Sequence, residues 1–111
     1  MVRVTISDEA ENDLFAIYEQ RLAQRGPDGE DGAEALLDRL LGAMNRIVDY
    51  PQSGPIVPEL RELADTGWRQ ISLHPYRIVY LLADDHATVV MVADSRRDYA
   101  SLLRRRLFGR C

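Results

Sequence analysis

Between Tyr76 and Ala83 the chain reads YRIVYLLA, a stretch that is apolar on both of its faces. Successive side chains of an extended strand point to opposite sides, so Ile78, Tyr80 and Leu82 line one face while Val79 and Leu81 line the other. A strand of this kind belongs inside a sheet with a covering layer on each side. Most of what this chain can fold into follows from the need to supply those two layers.

The sheet neighbours are close by in sequence. Trp68–Leu73 and Thr88–Asp94 have the length and the Val, Ile and aromatic content of strands, and Asp84-Asp85-His86 reads as the hairpin turn between the second and third of them. Val2-Arg3-Val4-Thr5-Ile6 alternates with period two and predicts a further short strand. One covering layer is helical. Ser7 is placed to cap a helix whose first turn holds Asp8 and Glu9, and Ala10, Leu14, Ile17, Tyr18 and Leu22 keep the spacing of one buried stripe. After the stop at Gln24-Arg25-Gly26-Pro27-Asp28-Gly29, Asp31 and Glu34 have the spacing of a capping box for a second helix. Its stripe runs through Ala33, Leu36, Leu37, Leu40, Leu41, Met44, Ile47 and Val48 to Pro51.

These elements predict a single α+β domain over residues 1–111: a strand at 1–6, an antiparallel helical hairpin at 7–49, a Pro/Gly-rich loop at 50–66, three antiparallel strands at 67–94 and a basic tail at 95–111. The hairpin covers one face of the sheet. The other face is left to the tail or to a partner protein. No apolar run is long enough for a membrane span and no secretory signal opens the chain, which predicts a cytoplasmic protein. The single cysteine, Cys111, allows no intramolecular disulfide, and neither a metal-ligand cluster nor a Gly-rich phosphate loop is present, so no cofactor is expected.

Charge divides the chain. The net charge is −4 overall, but residues 1–65 hold 6 Arg against 14 acidic residues, whereas residues 66–111 hold 8 Arg against 4. The basic part contains arginines on or beside strands, where Val, Ile or Thr is usual: Arg69, Arg77, Arg96 and Arg97, followed by the run Arg104, Arg105 and Arg106. Each has a structural and a functional reading. Arg69 and Arg77 either pair with helix carboxylates such as Asp13 or Asp38 or receive a partner's anionic groups. The triple run either satisfies a helix C-terminus or extends the same binding surface. Trp68, Tyr76 and Tyr80 read as sheet aromatics, and His74 and His86 as loop residues.

The order of elements, together with VRVTISDEAENDLFAIYEQ, YPQSGPIVPELRE, WRQI, PYRIVYLL and VVMVADSRRDYASLL, resembles the RelE/ParE superfamily of bacterial type II toxins over nearly the whole chain. The resemblance implies a RelE/ParE-like fold and a cognate antitoxin of the ParD or RelB type, in a hetero-oligomer. RelE-like members cleave mRNA on the ribosome; ParE-like members inhibit DNA gyrase. Arg77 matches the strand arginine of both branches, and Arg96 or Arg97 the arginine after the last strand. In the ribonuclease pattern a tyrosine follows several residues later, where this chain has Ala100, Ser101, Leu102 and Leu103, and Tyr99 comes too early. The lysines that grip ribosomal RNA are also absent. The resemblance therefore points to the ParE-like branch and a gyrase-inhibiting toxin that arrests growth. The alternatives are a ribosome-dependent ribonuclease using Arg77, Arg96, Arg97 and Tyr99, or a non-toxic antitoxin-binding module. The expected target- or antitoxin-binding residues are Arg69, Arg77, Arg96, Arg97, Arg104, Arg105 and Arg106.

Overall fold

A computed structural model describes residues 2–52, 54–57, 67–96 and 99–108, and shows a four-stranded sheet between two helical layers. In chain order the elements are β1 (Arg3–Ile6), α1 (Asp8–Arg25), α2 (Ala33–Asp49), β2 (Trp68–Leu73), β3 (Tyr76–Ala83), β4 (His86–Asp94) and α3 (Tyr99–Phe108). The sheet order is β1-β4-β3-β2, with β1 parallel to β4 and the other pairings antiparallel. The doubly apolar strand β3 is interior, as its composition requires. Arg97, Cys111 and the 58–66 part of the expected loop lie outside the described residues.

The hairpin α1–α2 covers one face. Ala10 and Leu14 from α1 and Leu36, Leu40, Ala43, Met44 and Ile47 from α2 pack against Tyr76, Ile78, Tyr80, Ala87, Val89 and Val92. The leucine, isoleucine, valine and methionine side chains among them each contribute about 1.5–3 kcal/mol when fully buried. The opposite face is covered by the chain's own tail: Tyr99 and Leu103 of α3 join Val57, Val79 and Met91 in a second core, with Trp68, Leu102 and Leu107 around it.

Three expectations are corrected. The Asp31–Glu34 capping box does not form. The residue that caps α2 is Gly32, which makes no side-chain cap hydrogen bond. The two carboxylates are drawn off to stronger partners, Asp31 to Arg21 (3.1 Å) and Arg25 (3.4 Å), and Glu34 to the Tyr18 hydroxyl. The β3–β4 turn is only Asp84-Asp85, with Asp84 at φ 55°, so His86 begins β4, opposite Arg3 of β1, and its ring contacts Thr5 Oγ1 at 2.9 Å. The apolar stripe of α1 also strays from the core, since Leu22 is 37% exposed and Phe15, off that stripe, is 64% exposed. The Ser7 cap does form, accepting from the Ala10 N–H at 3.1 Å.

An irregularity in β4 positions the third helix. The pairing of β3 with β4 passes from Val79↔Met91 to Tyr80↔Val89, leaving Val90 as an extra residue. Val89 and Val92 consequently both reach the hairpin-side core, three residues apart. The bulge also changes which backbone groups point to the strand's outer edge. As far as Val89, that edge is taken by β1 and the Ser7 N–H (2.9 Å). Beyond it, the Val92 N–H donates to Asp13 Oδ2 of α1 (2.9 Å) and the Val90 carbonyl accepts from Arg106 Nη1 of α3 (2.9 Å). Arg106 and Asp13 also pair with each other in bidentate fashion, at 2.9 and 3.0 Å. An open strand edge is thus closed by side chains from both helical layers.

Candidate functional site

The expected arginines do not share one surface. The β2–β3 register places Arg69 opposite Tyr80 and Arg77 opposite Ser72. Strand alternation then sends Arg69 to the hairpin face with Ile71 and Ile78, and Arg77 to the α3 face with Gln70 and Val79.

On the hairpin face, Arg69 Nη1 donates to the carbonyls of Gln52 (3.2 Å) and Gly54 (2.8 Å), and the buried Tyr80 hydroxyl donates to the Pro51 carbonyl (2.6 Å). Together they fasten the segment after α2 onto the sheet. Burial pushes the Tyr80 phenol above its ordinary range, against the lowering influence of Arg69. Gly54 is required here because an added Cβ would sit 2.6 Å from the Gln70 carbonyl oxygen and 2.7 Å from the Tyr80 hydroxyl. Arg69 is thereby committed to backbone carbonyls, and neither it nor Arg77 meets Asp13, which Arg106 occupies.

On the α3 face, the half-buried Arg77 donates from Nε and Nη2 to Gln70 Oε1, the former at 3.0 Å. Its guanidinium carbon lies 3.9 Å from the centroid of the Tyr99 ring. Tyr99 is 5% exposed and belongs to the second core. Sequence reasoning singled out Arg77 and Tyr99 but not Gln70, which stands 8% exposed at an inward position of β2. A glutamine within the predicted strand Trp68–Leu73 was the available signal, since a polar group on the covered side of a strand implies a fixed partner.

Arg96 and the tail complete the basic region. Arg96 is exposed and pairs with Asp94 at 2.7 Å, an interaction that raises its basicity. Arg104 and Arg105 project from α3 into solvent. Arg106 is held in its charged form chiefly by the Asp13 hydrogen bonds, with Glu9 at 3.9 Å adding to the field. Tyr99, the tyrosine of the ribonuclease alternative, is buried, as is the sheet aromatic Tyr76, whereas the loop residue His74 is exposed. Among the described residues, no three His, Cys, Asp or Glu side chains form a metal-binding group, and no helix is long and apolar enough to cross a membrane.

Comparison with known proteins agrees with this architecture. Residues 4–99 match the family described as "ParE toxin of type II toxin-antitoxin system, parDE". A chain from the chromosomal ParDE system of P. aeruginosa superposes with a TM-score of 0.66 at 18% identity, over 85% of this chain and 96% of that one. A chain of the RelBE2 toxin-antitoxin complex of Mycobacterium tuberculosis gives 0.57 at 15% identity, over 84% and 96%, and a free arginine-substituted E. coli RelE toxin gives 0.56 at 12%, over 91% and 90%. At these identities the likeness establishes the fold. A search of curated proteins by sequence gave no match.

Proposed function

Because the chain belongs to the ParE toxin family of type II toxin-antitoxin systems, we propose that it arrests growth by inhibiting DNA gyrase and is neutralised by a cognate antitoxin. The observation that carries the choice of target is the seating of Tyr99. Metal-free RNA cleavage needs a proton donor or acceptor within hydrogen-bond reach of the substrate, and a phenol 5% exposed beneath Arg77 in a packed core is poorly presented for that task. Tyr76, at 8% exposure, is no better placed. What the basic segment offers is an anchored cation, Arg77, together with the exposed Arg96, Arg104 and Arg105. Such a set binds carboxylates or phosphates without chemistry.

The antitoxin reading is supported by the family and by the fold shared with toxins of the ParDE and RelBE2 systems. Arg96, Arg104 and Arg105 are free to receive acidic side chains beyond their present contacts, whereas Arg69 and Arg106 are engaged within the fold.

The test is a supercoiling reaction with purified gyrase and the antitoxin-free protein, run beside an in vitro translation reaction with primer-extension mapping. Loss of supercoiling or cleaved plasmid with intact mRNA is the expected result. A-site cleavage with normal gyrase replaces this reading with the ribosomal one, and inertness in both reactions leaves an antitoxin-binding module.

A further inference from the structure

β1 pairs with β4 only as far as Val89, and past that point β4 borders a cavity of about 310 Å³ that also touches α1 and α3. The α1 wall carries Asp13, Ala16, Ile17 and Gln20, one helix face at i, i+3, i+4 and i+7. Ala16, in the middle of that face, is exposed, and its short side chain leaves the space open. Ile17, Val92 and Leu102 make the walls largely apolar. A cavity of this volume stands at the small end of ligand sites, with room for a single substituted ring.

Two features select what the space can hold. Each ionised group in its lining already has a counterion, Asp13 with Arg106 and Asp94 with Arg96. A charged ligand would lose its water there without gaining an unpaired opposite charge, so the site favours a neutral one. The second feature is Tyr76. It is 8% exposed and forms part of the wall, yet its hydroxyl makes no hydrogen bond among the described residues. Arg96 is within its electrostatic reach but is committed to Asp94. A polar group so covered requires a partner, and the cavity it borders is where one can enter. Gln20, at the exposed end of the α1 face, adds an amide that both donates and accepts. We infer that this cavity binds a small uncharged molecule with an apolar body and one hydroxyl, held through the Tyr76 hydroxyl. Because its walls come from α1, β4 and α3 together, an occupant would brace the Arg106–Asp13 bridge and steady the tail helix. The site stands apart from the exposed arginines and does not rest on the choice of gyrase as target.

The experiment titrates the full chain, labelled with nitrogen-15, with three probes that share a phenol ring: p-cresol, which is neutral, 4-hydroxybenzoate, an anion, and tyramine, a cation. Saturable amide shifts at Ala16, Val92 and Ala93 are expected with p-cresol, at a Kd of about 1 mM or tighter, and binding at least about tenfold weaker with either charged relative. Tyr76→Phe keeps the ring and removes only the hydroxyl, and is expected to weaken p-cresol binding about three- to tenfold. Ala16→Trp, at an exposed position, is expected to fill the cavity and abolish binding. Circular dichroism establishes that both variants fold. No saturable shift with p-cresol, shifts centred elsewhere, equal binding of all three probes, or indifference to Tyr76→Phe or to Ala16→Trp overturns the proposal. Neither gyrase nor ribosome enters this assay, so its failure and the failure of the toxin reading are separately visible.

Discussion

Removal of the Arg106 side chain tests the account of how the tail is held. The guanidinium makes two hydrogen bonds to Asp13 and one to the Val90 carbonyl, with the side chains 21% and 18% exposed. A fully exposed pair would be worth at most about 1 kcal/mol, and breaking a fully buried one costs about 3–5 kcal/mol. A pair four-fifths covered, with Asp13 still accepting from the Val92 N–H, falls between these, so Arg106→Ala should cost about 2 kcal/mol. For a domain of this length that lowers Tm by about 8 °C. Asp13→Ala should cost about 3 kcal/mol, because it strips the Arg106 charge of its carboxylate partner and leaves the Val92 N–H without its acceptor. The double variant should cost less than the sum, with a coupling of about 1–2 kcal/mol. Urea unfolding followed by circular dichroism gives these values, and amide hydrogen exchange should quicken at Val92 in Asp13→Ala more than in Arg106→Ala. Additive single-variant costs, or a change under about 0.5 kcal/mol for Arg106→Ala, would refute the bridge as the device that holds α3.

Other predictions address separate parts of the molecule. Gly54→Ala should destabilise by about 1–3 kcal/mol, measured by denaturant unfolding, because its methyl group would press on the Gln70 carbonyl and the Tyr80 hydroxyl. The raised Tyr80 phenol contributes stability that is intact below the unfolded-state value near pH ~10 and is lost as pH rises through the folded-state value. Tyr80→Phe should therefore lose about 1 kcal/mol at neutral pH but show a shallower alkaline decline in Tm. Arg104→Glu with Arg105→Glu should relieve gyrase inhibition with Tm changed by no more than a few degrees, since both side chains are exposed. Arg77→Lys should fold while losing the paired donation to Gln70, and reduced inhibition in that folded variant would separate a binding role from a packing one.

The layers of the fold were legible because they rest on period. The doubly apolar β3 demanded two covers, and the hairpin stripe supplied one. The roles of the arginines were less so. Arg69 and Arg77 look alike in sequence, and only the Ser72↔Arg77 register shows them on opposite faces. Arg106 looked like one member of a basic run, yet its partner lies 93 residues earlier, a separation that no local rule spans. The bulge left no mark because Val89, Val90, Met91 and Val92 are all apolar, so nothing in their polarity records a change of phase. The capping box failed where two arginines and a tyrosine outcompeted the backbone for Asp31 and Glu34.

That extra residue, Val90, makes one strand keep two different companies. Its first half is addressed to β1 and its second to α1 and α3, so the berth of the C-terminal helix is encoded in β4 as much as in the helix itself. Exchanging tails between toxins of this shape would transfer the arginines without their mooring wherever the recipient strand runs regularly, whereas carrying β4 and Asp13 with the tail would transfer both. Deleting Val90 alone would leave Met91 and Val92 in register with β3 and the Val92 amide on Asp13, but would remove the carbonyl that Arg106 grips and so loosen α3 without touching any residue of the helix.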